Sequence, residues 1–364
     1  MKNKYKTLLY VMIIISIFLC LPYVVHLVKN GTVEGVESFH AYTYNMADSE
    51  FTRKLNWMIF TSLILIFTVI YICIIKYENK IFNNKKQIYI FILIISILFS
   101  FILYYIMYDI FYYMGDTWLC AKYGENPYYT TVLDLQNNGI DDEILRNTGP
   151  WKATTSVYGP IWNIISTFLI YFSFGNISVG LFVFKVASLL IHMLNCYLIY
   201  RITKSRKYVL IYGINPLILI EALSNLHNDL YLITFVLIAI FFLIRKKNIL
   251  LTLLFLAISV ATKYSTALIV PFILIYIYRK EKILKRILYS FISGIAIILF
   301  VILTYMPYFR DVSIFTNMLV QGEKYSQSIL AILLNKIDFN IFKYIKITFT
   351  GIFILIYIMS IIDL

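Results

Sequence analysis

Residues 88–106 read Ile88-Tyr-Ile-Phe-Ile-Leu-Ile-Ile-Ser-Ile-Leu-Phe-Ser-Phe-Ile-Leu-Tyr-Tyr-Ile106, without one charged side chain. Coiled at 1.5 Å per residue, that run extends about 28 Å, close to the ~30 Å hydrocarbon core of a bilayer. In lipid every backbone N–H and C=O must be satisfied internally, so a spanning segment is a helix or a strand of a closed barrel. Barrel strands alternate between apolar and polar positions, and this stretch does not. The same reading holds for Leu8–Val28, and apolar blocks of about 17 to 23 residues recur along the chain. The 364 residues are 61% hydrophobic and only 14% charged, with a mean hydropathy of +0.80, whereas soluble domains carry about a quarter charged residues. The expected fold is all-α: a polytopic transmembrane helical bundle.

A net charge of +13 does not point to nucleic acid here. The Lys and Arg residues cluster in short connections between apolar blocks, where basic residues hold loops on the cytoplasmic side beside anionic lipid. The expected partner surface is membrane lipid, with no nucleic acid. Cys20, Cys73 and Cys196 lie in apolar blocks and Cys120 stands alone. Neither a disulfide framework nor a Cys/His metal site is implied, and no metal or other cofactor is expected. Met1–Val28 reads as an uncleaved first helix, because its apolar stretch is long and lacks a small-residue cleavage pattern.

Charge then threads the chain. Lys2, Lys4 and Lys6 put the N-terminus inside, and Glu34, Glu37, Asp48 and Glu50 put the loop Lys29–Asn56 outside. A helix over about Trp57–Ile75 returns to Lys76, Lys80, Lys85 and Lys86, and one over about Ile88–Met107 carries Asp109 to the outer surface. A polar loop is expected from there to about Tyr158. Gly159–Phe174 is apolar but short. If it crossed fully, Arg201, Lys204, Arg206 and Lys207 would end outside, so it is read as interfacial or re-entrant, with Val179–Tyr200 the true crossing. Tyr208–Leu223, Leu230–Ile244, Ile249–Thr262, Thr266–Tyr278, Ile287–Tyr305 and Ile345–Ile362 complete about ten crossings plus one half-helix. Two regions follow, an N-terminal helix pair at 1–86 and a catalytic region at 87–364.

Ionisable groups at the mouth of a bundle are costly and are usually retained for function. The threading gathers them on one face: Asp109 and Asp116, then Glu221, His227 and Asp229, then Lys263, with Lys185 just inside the outer end of its helix. Asp109 and Asp116 read equally well as solvated loop residues. Glu221, among apolar neighbours, does not. A lone His227 is poor grounds for a metal. The stretch Asp109–Tyr158 is rich in Tyr and Trp, which suits an interfacial belt or a sugar-stacking surface alike.

These segments carry a resemblance. The run from Asp109 through Gly124-Glu-Asn-Pro-Tyr128, the element Val157-Tyr-Gly-Pro-Ile-Trp162, the block Asn215-Pro-Leu-Ile-Leu-Ile-Glu221 with His227-Asn-Asp229, and Thr262-Lys263-Tyr264 with Pro271 occur in an order similar to that of the GT-C superfamily of membrane glycosyltransferases. The likeness is greatest to bacterial polyprenyl-phosphate-mannose-dependent mannosyltransferases. The motif-bearing part is 109–271. Two departures stand out. Ile110 follows Asp109 where the family often doubles the acid, and Tyr158-Gly-Pro replaces Tyr-Pro-Pro.

The resemblance implies an inverting hexosyltransferase, multi-pass in the cell membrane with its site outside. It would move mannose or another hexose from a polyprenyl-phosphate donor to a hydroxyl of a glycan, lipid or protein acceptor. Asp109 would be the general base, with Asp116 next in line. Asp229, Glu221 or His227 would position hydroxyls, and Lys263 or Lys185 would meet phosphate. Asn126, Tyr128 and Tyr158 would line the substrate. The competing reading is a carrier or flippase for a lipid-linked or small solute, which needs acids or broken helices near the bilayer midplane. Only His192 and Asn195 stand mid-helix. A polymerase with an Arg- and His-rich outer loop is disfavoured, since those loops offer only Arg53, Arg146 and Arg310, with His26 and His40.

Overall fold

The computed structural model describes residues 2–30, 50–102, 109–315 and 339–362. Every regular element among them is helical. The chain divides into two units, Met1–Lys263 and Tyr264–Leu364. The first contains α1 (Lys2–Asn30), α2 (Glu50–Lys76), α3 (Lys85–Ser100), α4 (Asp109–Tyr123), α5 (Pro160–Tyr171), α6 (Ile177–Thr203), α7 (Arg206–Gly213), a π-helical turn at Leu219–Ser224, α8 (Asp229–Phe241) and α9 (Ile249–Thr262). The second contains a 3-10 turn at Tyr264–Ile269, α10 (Val270–Tyr278), α11 (Ile283–Tyr305) and α12 (Phe339–Ile362). Within this second unit α10 pairs with α11.

Local chemistry sets the boundaries in the first unit. Asn84, Asn176 and Asn248 each accept a backbone N–H from the first turn of α3, α6 and α9, satisfying a donor that would otherwise be orphaned. Pro160 opens α5 at a position where its missing N–H costs nothing. Pro216 breaks the segment expected as one helix over Tyr208–Leu223. The chain bends there by 46°, and Asn215 caps the new start by accepting from the Leu217 N–H at 3.0 Å. The core runs through Phe67, Ile92, Ile95, Phe99, Tyr113, Trp162 and Phe184, all essentially buried. A ladder of rings, Tyr113–Trp162–Tyr231 with centroids 5.1 Å apart at each step, joins α4, α5 and α8. Each such pair is worth about 0.5–1.5 kcal/mol beyond its area.

Among the described residues four helices are long and apolar enough to cross a membrane, or five if the bent pair is one span. Four further apolar helices are shorter, α5 and α9 among them. That is fewer than the ten crossings expected, which counted α9 and other shorter helices, though not α5, as full spans. At 12 residues α5 is about 18 Å long, short of the hydrocarbon thickness. By contrast the 27 residues of α6 are ample. Phe18, Leu65, Val69, Phe182 and Leu190 face outward, an apolar exterior that lipid rather than water accommodates. The outer loop expected over Lys29–Asn56 lies largely outside the described residues.

Two further expectations change. Instead of continuing to Met107, α3 ends at Ser100 with Phe101 as its cap. Nor is the stretch after Asp109 a loop. It opens as helix α4 with Asp109 in its first turn, where a carboxylate suits the positive end of the helix dipole. Ile110 to Leu119 are buried without a break, so the helix is enclosed on every side rather than amphipathic.

Candidate active site

The site is built from the start of α4 outward. Asp109, Tyr112, Tyr113 and Asp116 share one face of that helix by their spacing. A loop clamps the helix from behind. Asp142 accepts from Trp118 Nε1 at 3.0 Å, Lys122 Nζ at 2.6 Å, Tyr123 OH at 3.1 Å and the Ile144 N–H at 2.9 Å. Burial alone would raise its carboxyl, but these four donors outweigh it and hold Asp142 below the usual range. Gly115 is needed for the fit, since a Cβ there would lie 2.0 Å from Thr148 Oγ1. Asp109 is 29% exposed, and Tyr113 and Tyr158 stand beside it with rings 5.1 Å apart, edge to face. Burial first, and the charge of Asp109 next, push the Tyr158 hydroxyl up, with Asp229 adding to the effect. Tyr158 therefore lies within electrostatic reach of both acids.

A strained turn brings the second group. After Pro216 the chain forms one π turn carrying Glu221. Such single turns are rare and concentrate at functional sites. Leu226 then adopts φ of 59°, a left-handed conformation costing roughly 1–2 kcal/mol for a residue with a side chain. The turn is tied by the His227 N–H to Glu221 O at 2.9 Å. The His227 ring thus stands between two carboxylates, Nε2 at 3.7 Å from Asp109 Oδ2 and Nδ1 at 3.4 Å from Glu221 Oε2. Asn225 Nδ2 donates to that same Glu221 oxygen at 3.2 Å. His227 is 18% exposed and Glu221 37%.

The third group comes from the end of α9. Lys263 Nζ meets Asp229 Oδ2 at 2.8 Å and Asn228 Oδ1 at 3.3 Å, and the Lys263–Asp229 pair is partly open to solvent. What fixes Lys263 is Gly159. Its N–H donates to Thr262 O at 3.1 Å, and a Cβ on it would fall 2.0 Å from the Ala261 carbonyl oxygen. A proline there would lack the N–H and collide, so the departure from Tyr-Pro-Pro has a local cause in this chain.

The other residues singled out from the sequence sit apart from these groups. Asn126 and Tyr128 act within the turn after Gly124, whose φ of 66° ends α4. Asn126 Oδ1 accepts from the Tyr128 N–H at 3.1 Å, and the buried Tyr128 gives its hydroxyl to Tyr158 O at 2.8 Å. Both shape the loop that holds Tyr158. Asp116 is 3% exposed. Burial pushes its carboxyl up to about 8, moderated by the Ser156 hydroxyl, which in turn accepts from Asn163 Nδ2 at 3.1 Å. It is thus held mainly as a neutral acid at pH 7. Lys185 is buried in α6 and its ammonium donates to Ser100 O at the end of α3. Asn225, Asn228 and Gly159 escaped the sequence reading as parts of this geometry. The only trace was the glycine in place of the first proline. Among the described residues no group of three or more His, Cys, Asp or Glu is arranged to hold a metal.

Residues 48–279, well over half of the chain, match the model of a family described as alpha-(1->6)-mannopyranosyltransferase, N-terminal domain. The chain belongs to that family. The four motif elements between Asp109 and Pro271 all fall within the matched span. With its apolar helices, this mannosyltransferase family member is a membrane glycosyltransferase of the GT-C kind, handling a sugar donor and a glycan acceptor. Comparison with curated proteins and with solved structures gave no match.

Proposed function

We propose that this mannosyltransferase takes mannose, or another hexose, from a polyprenyl-phosphate donor and transfers it with inversion to an acceptor hydroxyl at the outer face of a multi-pass bundle. The convergence of Asp109, His227, Glu221, Asp229 and Lys263 from α4, the π turn and the end of α9 is the observation that carries the reading. Asp109 takes the proton of the acceptor hydroxyl. The acceptor oxygen bonds to the anomeric carbon as the bond to the phosphate oxygen breaks. A carboxylate in hydrogen-bond reach is the type of group such a transfer needs, and preorganised geometry supplies much of the remaining rate.

Lys263 is the cation for the departing monophosphate. Its partial exposure and its partners Asp229 and Asn228 support that role over Lys185, whose ammonium is buried against Ser100. Asp229 also positions a sugar hydroxyl, and Tyr158 offers its ring to the sugar. The helix pair 1–86 serves as an N-terminal module to the catalytic region 87–364. Ten crossings result when α3, α8, α9, α10 and α12 are counted as spans beside the four long helices and the bent pair, with α5 interfacial or re-entrant.

The test is incubation of membranes bearing the full chain with a panel of radiolabelled polyprenyl-phosphate hexoses and, separately, a nucleotide-linked mannose. Consumption of the polyprenyl-phosphate mannose or another member of that panel is expected. Use of the nucleotide sugar alone would refute the donor. No consumption of any sugar would favour a carrier.

A further inference from the structure

The two nitrogens of His227 are not equivalent, and the difference has a chemical consequence. Nδ1 faces Glu221 Oε2 at 3.4 Å, and that oxygen is anchored by Asn225. On the other side Nε2 is buried, has no hydrogen-bond partner, and points toward Asp109 Oδ2 at 3.7 Å. An imidazole steadied on one nitrogen by a carboxylate, with its second nitrogen directed at the reacting group, is the general arrangement of an oriented proton acceptor. A buried unsatisfied polar atom costs about 1–3 kcal/mol. Together with the left-handed Leu226 that fixes the ring's position, this marks a site where strain is retained for use.

We infer that His227 takes over the proton that Asp109 removes from the acceptor hydroxyl, with Glu221 orienting the imidazole for that transfer. This rests on Asp109 acting as the base. The imidazole carries its proton on Nδ1, toward Glu221, and presents the Nε2 lone pair to Asp109. When the acceptor O–H bond breaks, its proton bonds to the Asp109 carboxylate. A side-chain adjustment of about 0.5–1 Å closes the 3.7 Å gap to hydrogen-bond distance. The proton then passes from Asp109 oxygen to Nε2. Asp109 is again a carboxylate, and the imidazolium rests between it and Glu221. After product departs, Nε2 releases the proton to water and the starting form returns. No oxidant, metal or co-reactant is required. On this account His227 and Glu221 govern turnover rather than hold substrate.

The experiment measures kcat and donor KM in membranes with radiolabelled polyprenyl-phosphate mannose for wild type, His227→Gln, His227→Ala, Glu221→Gln and Asp109→Asn. His227→Gln and His227→Ala are expected to lose about a hundredfold or more in kcat at nearly constant KM, and added imidazole is expected to restore part of the rate of His227→Ala. Glu221→Gln is expected to fall less, because its amide oxygen still faces Nδ1. Wild-type kcat in His227→Gln, a raised KM at unchanged kcat, or a loss that imidazole leaves untouched would overturn the inference. Full activity in Asp109→Asn refutes the base itself. Lost activity there with an intact His227→Gln refutes only the proton hand-over.

Discussion

Gly159→Ala tests whether a backbone contact outside the chemistry holds the site together. Its Cβ would lie 2.0 Å from the Ala261 oxygen and 2.6 Å from the Ala261 carbonyl carbon, where ordinary contact begins at 3.4 Å. Both atoms are main chain, so no rotamer relieves the clash. The turn before α5 and the end of α9 must separate by roughly 1 Å or more. The Gly159 N–H···O bond to Thr262 is lost with that movement, at about 1 kcal/mol, and overpacking costs typically 1–3 kcal/mol more. Lys263 follows Thr262 directly, so its 2.8 Å pairing with Asp229 shifts too. A misplacement of ~1 Å commonly lowers rate about a hundredfold. The assay is sugar release from the labelled donor in membranes, normalised to protein present, beside thermal unfolding in detergent. Gly294→Ala is the control, because a Cβ there meets nothing within 4 Å. Wild-type rate and Tm for Gly159→Ala would refute the reasoning.

Asp116 should make stability fall with rising pH. Its folded carboxyl stands near 8 against 3.8 for the ordinary group, so between those values the folded state keeps a proton that the unfolded state releases. The upper bound is on the order of 6 kcal/mol across that window. Asp116→Asn should flatten the dependence of Tm on pH, and an unchanged slope would count against a neutral buried acid. Lys263→Ala should raise donor KM about tenfold, losing a phosphate contact, and the measure is donor titration in membranes. Cysteines at Ser178, Lys204 and Lys282 should divide in impermeant thiol labelling, the first reacting from outside and the other two not.

How much was legible follows from what each feature depends on. Long uninterrupted apolar runs such as those of α2 and α6 declare a membrane helix, because composition and length alone are enough to mark one; the run from Ile88 looked as long, but its helix ends at Ser100. The brevity of α5 was legible for the same reason, since Phe174–Ser178 interrupts the apolar run. The motif order was visible as well, because Asp109, Glu221, His227, Asp229 and Lys263 are polar residues at the edges of apolar runs. Their approach in space was not. It depends on a bend at Pro216, one π turn and a left-handed Leu226, none with a sequence period of its own. The helix α4 was missed because its buried residues include tyrosines, Trp118 and Asp116, which polar counting assigns to a loop. Tyr128 looked like a substrate residue, yet its hydroxyl holds the Tyr158 carbonyl at 2.8 Å. That partner lies thirty residues away in the chain, beyond any local pattern.

The most direct measurement of the central claim is transfer from radiolabelled polyprenyl-phosphate mannose in membranes bearing equal amounts of wild type and Asp109→Asn. The substitution is nearly isosteric and removes charge and basicity from a partly exposed first helical turn, so abundance should not change. Loss of a general base typically lowers rate about two to four orders of magnitude. A fall of that size in Asp109→Asn is the expected result, and transfer at the wild-type rate would contradict the account.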